Sequence, residues 1–322
     1  MKERIDGPAV SVIVLTYNQA TTAEASVMSV LGSRDVEYEV VISDDSSTDG
    51  TRELLESIAG RYPDRVRLLP RHPNLGIPAN YFYALEHCRG RYVTDVAGDD
   101  RRCDPSALSR HADMLDSAPE LVAVSSRWRD GGSVNGTDVS QAPRRDTMTS
   151  LLALERPTPM MLSAMMYRRS IIVKLLRDNP GVVCDTRFRC EDLPVMLALL
   201  AAGDVTFDPA VTVDYAPAPD SITRTADPER RALFAAGLCH AVHHLSQTYG
   251  LRNEPRVVSA LEDMAGYMLG CAAASGRPAA ATAAVDAVKE SGAKLTLKGK
   301  VYEKMLRNRV GLRSIAWLKR HI

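Results

Sequence analysis

Three groups of acidic residues stand where side-chain chemistry can be done. The first is Asp44-Asp45-Ser46-Ser47-Thr48-Asp49-Gly50-Thr51, directly after the apolar run Glu39–Ile42. The second is Gly98-Asp99-Asp100, directly after the run YVTDV at 92–96. The third is Glu191-Asp192, which opens the apolar stretch LPVMLALLAAG. Each alone has an ordinary explanation. Asp, Ser and Gly are common turn residues, and acids in the first turn of a helix are favoured by its dipole. Together they say more, because paired carboxylates that converge on one crevice repel each other unless a cation lies among them. Hard oxygen ligands suit Mg²⁺ or Mn²⁺, usually shared with a phosphate. The constellation therefore predicts a divalent metal and a phosphorylated substrate.

The surrounding pattern says how such acids would be positioned. Val10–Leu15, Glu39–Ile42, Val66–Leu69, Tyr92–Val96 and Leu121–Ser125 read as short buried strands, with helical patterns between them. Strands alternating with helices imply βαβ units and a largely parallel sheet, whose ligands bind in the loops after the strands' carboxyl ends. Thr21-x-x-Glu24 has the form of a capping box, and Asp49 or Thr48 can cap the helix that follows. Residues 130–145 are polar and turn-rich and read as a loop. Val205–Phe207 and Val211–Tyr215 read as two short strands, and from Asp227 onward the pattern is helical. A boundary near residue 220 divides an α/β domain, 1–220, from a helical region, 221–322.

Val10–Asn18 (VSVIVLTYN), Asp44–Thr51, Asn74-Leu75-Gly76 with Asn80, Gly90–Val93, Gly98–Asp100 and Glu191-Asp192 occur in an order that resembles the inverting GT-A glycosyltransferases of the large bacterial family that builds polysaccharides (family 2-like). The similarity covers roughly residues 8 to 220. It implies a GT-A fold, a mostly parallel Rossmann-like sheet flanked by helices, and transfer of a sugar from a nucleoside diphosphate, UDP most readily, to a glycan or glycolipid hydroxyl. Carried over, it puts Thr16, Tyr17 and Asn18 at the nucleotide pocket, with Asp44 and Asp45 toward base or ribose. Asn74, Gly76, Asn80 and Asp99 would help hold the nucleotide sugar. Asp100, with Asp99, would hold Mn²⁺ or Mg²⁺, although Ala97 stands where many members have the first acid of a D-x-D element. Asp192 is implied as the general base, with Glu191 orienting it or binding the acceptor. A nucleotide-sugar-binding protein without transfer activity is the alternative that Ala97 suggests. A nucleotidyltransferase would want a Gly-rich, basic phosphate loop after the first strand, and Thr16–Ala20 has neither feature.

Composition sets the remaining bounds. Of 322 residues 45% are apolar and 25% charged, with 40 basic against 40 acidic, so nothing in the balance argues for nucleic acid. Six scattered cysteines without a C-x-x-C pair read as reduced thiols of a cytoplasmic protein. No run approaches the roughly 18 apolar residues of a membrane span. From Lys294 to Ile322, nine Lys/Arg face one acid, Glu303, with Val301, Met305, Val310, Leu312, Ile315, Trp317 and Leu318 interleaved. Such a helix can lie on anionic lipid at the inner face of a membrane. A packing face or a homodimer contact is the plainer reading. Met160-Met161 and Met165-Met166 read as core filling.

Overall fold

The computed structural model describes residues 8–216 and 225–307. Its first unit is a twisted sheet with helices, built from residues up to Leu151, Arg156–Thr186 and Glu191 through the last strand. In chain order it runs β1 (Val10–Thr16), α1 (Ala23–Leu31), β2 (Tyr38–Asp44), α2 (Thr51–Arg61), β3 (Val66–Leu68), α3 (Ile77–His87) and β4 (Tyr92–Ala97). There follow β5 (Arg101–Arg102), α4 (Ala107–Ser117), β6 (Leu121–Asp130), β7 (Ser133–Asn135), α5 (Arg144–Leu152), β8 (Met165–Arg168), α6 (Arg169–Asp178), α7 (Asp192–Ala202) and β9 (Asp204–Tyr215). The sheet order is β3-β2-β1-β4-β8-β6-β9-β5, with β7 paired to β6. The strands β3, β2, β1 and β4 are parallel, β8 is antiparallel to β4 and to β6, and β9 is parallel to β6.

Residues of β1 and β2 are almost all buried, which is why their sequences are runs of Val and Ile instead of alternating patterns. On one face Val12, Val14, Val40, Ile42 and Val96 pack against Val27 of α1, Leu55 and Ile58 of α2, and Leu108 and Leu115 of α4. On the other, α3 packs against β1 and β2, and α7 against β6 and β9. The amino ends of the strands are tied by a buried polar knot. Ser11 Oγ donates to Glu39 Oε1 at 2.7 Å, and Glu39 also accepts from the Arg89 amide (2.6 Å) and from Arg67 (3.1 Å). Gly90 closes the knot with its amide on Ser11 Oγ at 2.8 Å. A Cβ at Gly90 would lie 2.4 Å from the Ser11 backbone nitrogen, so no other residue fits there without moving main chain.

Several expected boundaries move. The helix α1 starts after Thr22 with no side-chain cap, so the Thr21–Glu24 box is not formed. Asp49 accepts instead from the Thr51 amide and hydroxyl, at 3.1 and 2.5 Å, ahead of α2. The two short strands after residue 204 are one strand, β9, because register shifts opposite Ser126–Trp128 absorb the interruption around Pro209. The loop at 130–145 contains β7, hairpinned on β6, and the start of α5.

The second unit comprises Leu152–Glu155, Arg187–Cys190 and the C-terminal helices α8 (Pro228–Thr248), α9 (Pro255–Ser275), α10 (Pro278–Ser291) and α11 (Leu297–Arg307). Proline at the first turn opens α8, α9 and α10, where a missing N–H costs nothing. His240 Nδ1 sits 2.8 Å from Glu290 Oε2, which links α8 to α10. The expected boundary near residue 220 falls outside the described residues, as does the apolar part of the basic tail from Val310 to Leu318. Among the described residues no helix is long and apolar enough to cross a membrane.

Candidate active site

The loops at the carboxyl ends of β1, β2 and β4 bring the first two acid groups onto one edge. Thr16 and Asp44 end their strands side by side, and Thr16 Oγ1 donates to Asp44 Oδ1 at 3.1 Å. Asp44 also takes the Ser47 hydroxyl at 2.5 Å and its amide at 3.2 Å. Asn18 adds a second tie: its amide donates to Ser47 Oγ and its Oδ1 accepts from the Thr48 amide, both at 2.8 Å. Tyr17 is 48% exposed beside them, a ring presented to whatever binds here.

Asp45 spans to the next loop. Its Oδ1 accepts from the Leu75 amide at 2.7 Å and its Oδ2 from the Gly76 amide at 2.9 Å, while Asn74 Nδ2 returns a bond to the Asp45 carbonyl at 2.9 Å. Gly76 meets this geometry with φ of 80°, a conformation other residues avoid. Both Asp45 oxygens are thus engaged in bracing the loop that starts α3. Asn80 is 2% exposed and bonds Ser43 through both ends of its amide, at 2.5 and 3.3 Å. It therefore fastens α3 to β2.

The third group joins the second electrostatically. Asp100 is buried, and its Oδ1 accepts from the Ala216 amide at 2.9 Å. Burial, with the charges of Asp99, Asp95 and Asp130 adding to it, pushes its carboxyl up to about 7. Burial also raises Asp99. Glu191 stands just before α7 without a side-chain capping bond, and burial and then the Asp192 and Asp95 charges push it well above the usual carboxylate range. Asp192 is exposed at the first position of α7, with Oδ1 on the Leu193 amide at 2.7 Å. Asp100 thus feels Asp95, Asp99 and Asp130, and Asp95 and Glu191 feel Asp192, with Asp95 as the acid common to both groups. Asp45 lies apart from them in the chain, joining the loop after β2 to the loop before α3.

Asp95 and Asp130 lie outside the three acid groups that the sequence marks. A lone carboxylate inside the buried run YVTDV is itself a signal, because an ionisable group in a buried strand needs a reason to be there. Burial pushes Asp95 up to about 6 despite the Ser163 hydroxyl and nearby Arg102. Asp130 gave no such sign, since it lies at a strand exit rich in turn residues.

Among the described residues no group of three or more His, Cys, Asp and Glu is arranged to hold a metal on its own. The donor set nevertheless fits a Mg²⁺ or Mn²⁺ that brings phosphate oxygens with it. Two neighbouring carboxylates, Asp99 and Asp100, are raised by burial and crowding, which a cation would relieve.

Residues 11–176 match the family described as glycosyl transferase family 2. A Mycobacterium tuberculosis protein described as uncharacterized protein Rv1520 is 35% identical over 113 residues, 35% of this chain and 33% of that one. The putative glycosyltransferase EpsE of Bacillus subtilis is 36% identical over 94 residues, 29% of this chain and 34% of its own. The chain thus matches about a third of the length of these curated relatives. Among solved structures, S. aureus TarS 1-349 in complex with UDP-GlcNAc aligns over 92% of this chain and 91% of its own, with a TM-score of 0.54 at 18% identity. The mannosyltransferase PcManGT from Pyrobaculum calidifontis, in complex with GDP-Man and Mn²⁺, aligns over 97% and 87%, with a TM-score of 0.53 at 19% identity.

Proposed function

The chain belongs to glycosyl transferase family 2 and is built on the GT-A fold, and on that premise we propose that it moves a sugar from a nucleoside diphosphate, UDP in the first instance, to a hydroxyl of a glycan or glycolipid with inversion. The observation that carries this reading is that Asp95 raises both Asp100 and Glu191, so that each acid group feels the same carboxylate. Acids at a strand exit and acids at a helix start, far apart in sequence, share one field.

Thr16, Tyr17, Asn18, Asp44 and Asp45, with Asn74 and Gly76, form the nucleotide side, mainly by fixing loop shape. Asn80 serves that side from inside the core. Asp99 and Asp100 would hold Mn²⁺ or Mg²⁺ together with the diphosphate, and the ion would supply countercharge to the departing group. Asp192 takes the proton of the acceptor hydroxyl as its oxygen bonds to the anomeric carbon, and the bond from that carbon to the diphosphate breaks with its electron pair on the leaving oxygen. Its place supports the role: it is solvent-reachable, at a helix start that favours negative charge. Glu191, held protonated by its surroundings, is suited to donate a hydrogen bond beside it.

In Asp192→Asn, turnover should fall at least ~10²-fold while nucleotide-sugar affinity stays within about twofold. Normal turnover would remove Asp192 from this role. A nucleotide-sugar-binding protein without transfer remains the second reading, motivated by Ala97 in the place of an acid. Product release in a single-turnover mixture of donor and glycan acceptor separates the two. We assign residues 1–220 to donor binding and chemistry, and 221–322 to acceptor, membrane-surface or homodimer contacts. Such an enzyme would work at the cytoplasmic face of the membrane, in synthesis of cell-surface polysaccharide or glycoconjugate.

A further inference from the structure

Asp95 lies on β4 two residues before Ala97, and alternate residues of a strand project from the same face. It is 7% exposed. Its Oδ2 accepts from Ser163 Oγ at 3.0 Å, while its Oδ1 is buried with no hydrogen-bond partner. Arg102, also 7% exposed, presents the complementary gap. Its Nη2 donates to the Asp95 and Ser163 carbonyls at 3.2 and 3.3 Å, and its Nε–H is buried without an acceptor. The residues that carry the orphan acceptor and the orphan donor both bond Ser163. Buried polar atoms are rarely left in this state unless something outside the protein completes them. The Asp95 charge is felt by Asp100 on one side and by Glu191 on the other.

We propose that Asp95 is a further residue of the donor site, its Oδ1 accepting a hydrogen bond from one hydroxyl of the sugar being transferred. The inference rests on the glycosyl-transfer reading above. The ligand class follows from the two orphans. A cation would be opposed by Arg102 and an anion by the surrounding acids, whereas a neutral hydroxyl can donate to Oδ1. Two residues is about 6.6 Å along a strand. Asp95 therefore sits too deep to replace the acid missing at Ala97 as a metal ligand, and takes over hydrogen bonding instead.

Calorimetric titration with Mn²⁺ present tests this on wild type and Asp95→Asn. The probes are UDP-glucose, UDP-GlcNAc and GDP-mannose, each beside its free diphosphate. Asparagine keeps the acceptor for Ser163 and replaces the orphan acceptor with a donor. The free diphosphate should bind both proteins within about twofold. The sugar nucleotide should bind the variant at least ~10-fold more weakly, as expected for a lost hydrogen bond to a charged group. In wild type alone, deoxy analogues of the best donor should lose ~10-fold at one hydroxyl and little at the others, so the test stands even if the variant does not fold. Deoxy analogues that all bind alike overturn the proposal, as does an equal loss for diphosphate and sugar nucleotide. A trapped water in place of the sugar hydroxyl predicts unchanged donor affinity and overturns it too. Wild type that binds none of the probes sinks the glycosyl-transfer reading itself, and Asp95's role with it.

Discussion

At the scale of single residues, the site is a place where carboxylates hold their protons unusually well. Asp100 is pushed up to about 7 and Asp95 to about 6, both chiefly by burial, and Glu191 is raised in the same way. The sign follows from linkage. Between about pH 4 and 7 the folded chain binds more protons than the unfolded one at these positions, so stability falls as pH rises through that window. Asp208 acts outside it, because the His111 and Arg110 bonds hold its carboxyl far below the usual range. Buried His111 opposes the trend below about pH 6.5, since burial lowers it and acid must charge it. Asp100→Asn isolates the acid contribution. Its melting temperature should fall less than that of wild type between pH 5 and 8, by scanning fluorimetry without metal. Equal slopes would show that Asp100 is ionised throughout.

The residue types of this site are largely legible in the sequence, because Asp99-Asp100 and Glu191-Asp192 stand at recognisable strand and helix ends. What each residue does there is less so. Asp45 reads as a ligand for a base, yet both its oxygens are engaged by the Leu75 and Gly76 amides. Asn80 reads as a binding residue, and both ends of its amide bond Ser43 in the core. Partners 30 or more positions away decide such matters, and no local pattern encodes them. Asp95 is the sharper case: it passes for part of a strand until burial and Ser163 reveal an oxygen with nothing to bond.

At the scale of elements, the β-branched runs mark the strands because burial on both faces demands apolar residues throughout. The misread segments are those where tertiary pairing overrides local signals. Pro209 interrupts a run that β6 nevertheless pairs as one strand through shifts of register, and the polar stretch after Asp130 folds back as β7. The glycine at 90 is an element-scale constraint. Gly90→Ala should cost ~2 kcal/mol or more in chemical denaturation, since its Cβ would meet backbone and not a movable side chain. Its effect on KM for the donor should be small, because the knot of Ser11, Glu39 and Arg67 lies at the strand ends away from the acids. A variant as stable as wild type would mean the β1–β4 contact is looser than described. In α11, Leu297 is 81% exposed and Val301 50%, among Lys298, Lys300, Lys304 and Arg307. Apolar side chains left in solvent on a basic helix fit a membrane surface. The full chain should float with vesicles containing phosphatidylglycerol and lose most of that binding when it ends at Ala293; equal flotation of both would assign the helix to another contact.

At the scale of the whole molecule, metal and donor should bind as a unit. No described cluster of three protein ligands holds an ion alone. Mn²⁺ without nucleotide is therefore expected to raise the melting temperature little, and Mn²⁺ with UDP or a UDP-sugar considerably more than either component, by mass action on the folded state. Additive shifts, or a large shift from Mn²⁺ alone, would contradict a shared site.

Because β8 runs against both β4 and β6, those two strands point the same way despite the reversal between them. The exits of β1, β2, β4, β6 and β9 consequently open on a single rim, and the fastening of Ser11, Glu39 and Gly90 belongs to the opposite one. Durability and selectivity are housed apart. Segments grafted onto the exits of β6 or β9 would change the rim that carries Asp130 while the far rim keeps the sheet closed.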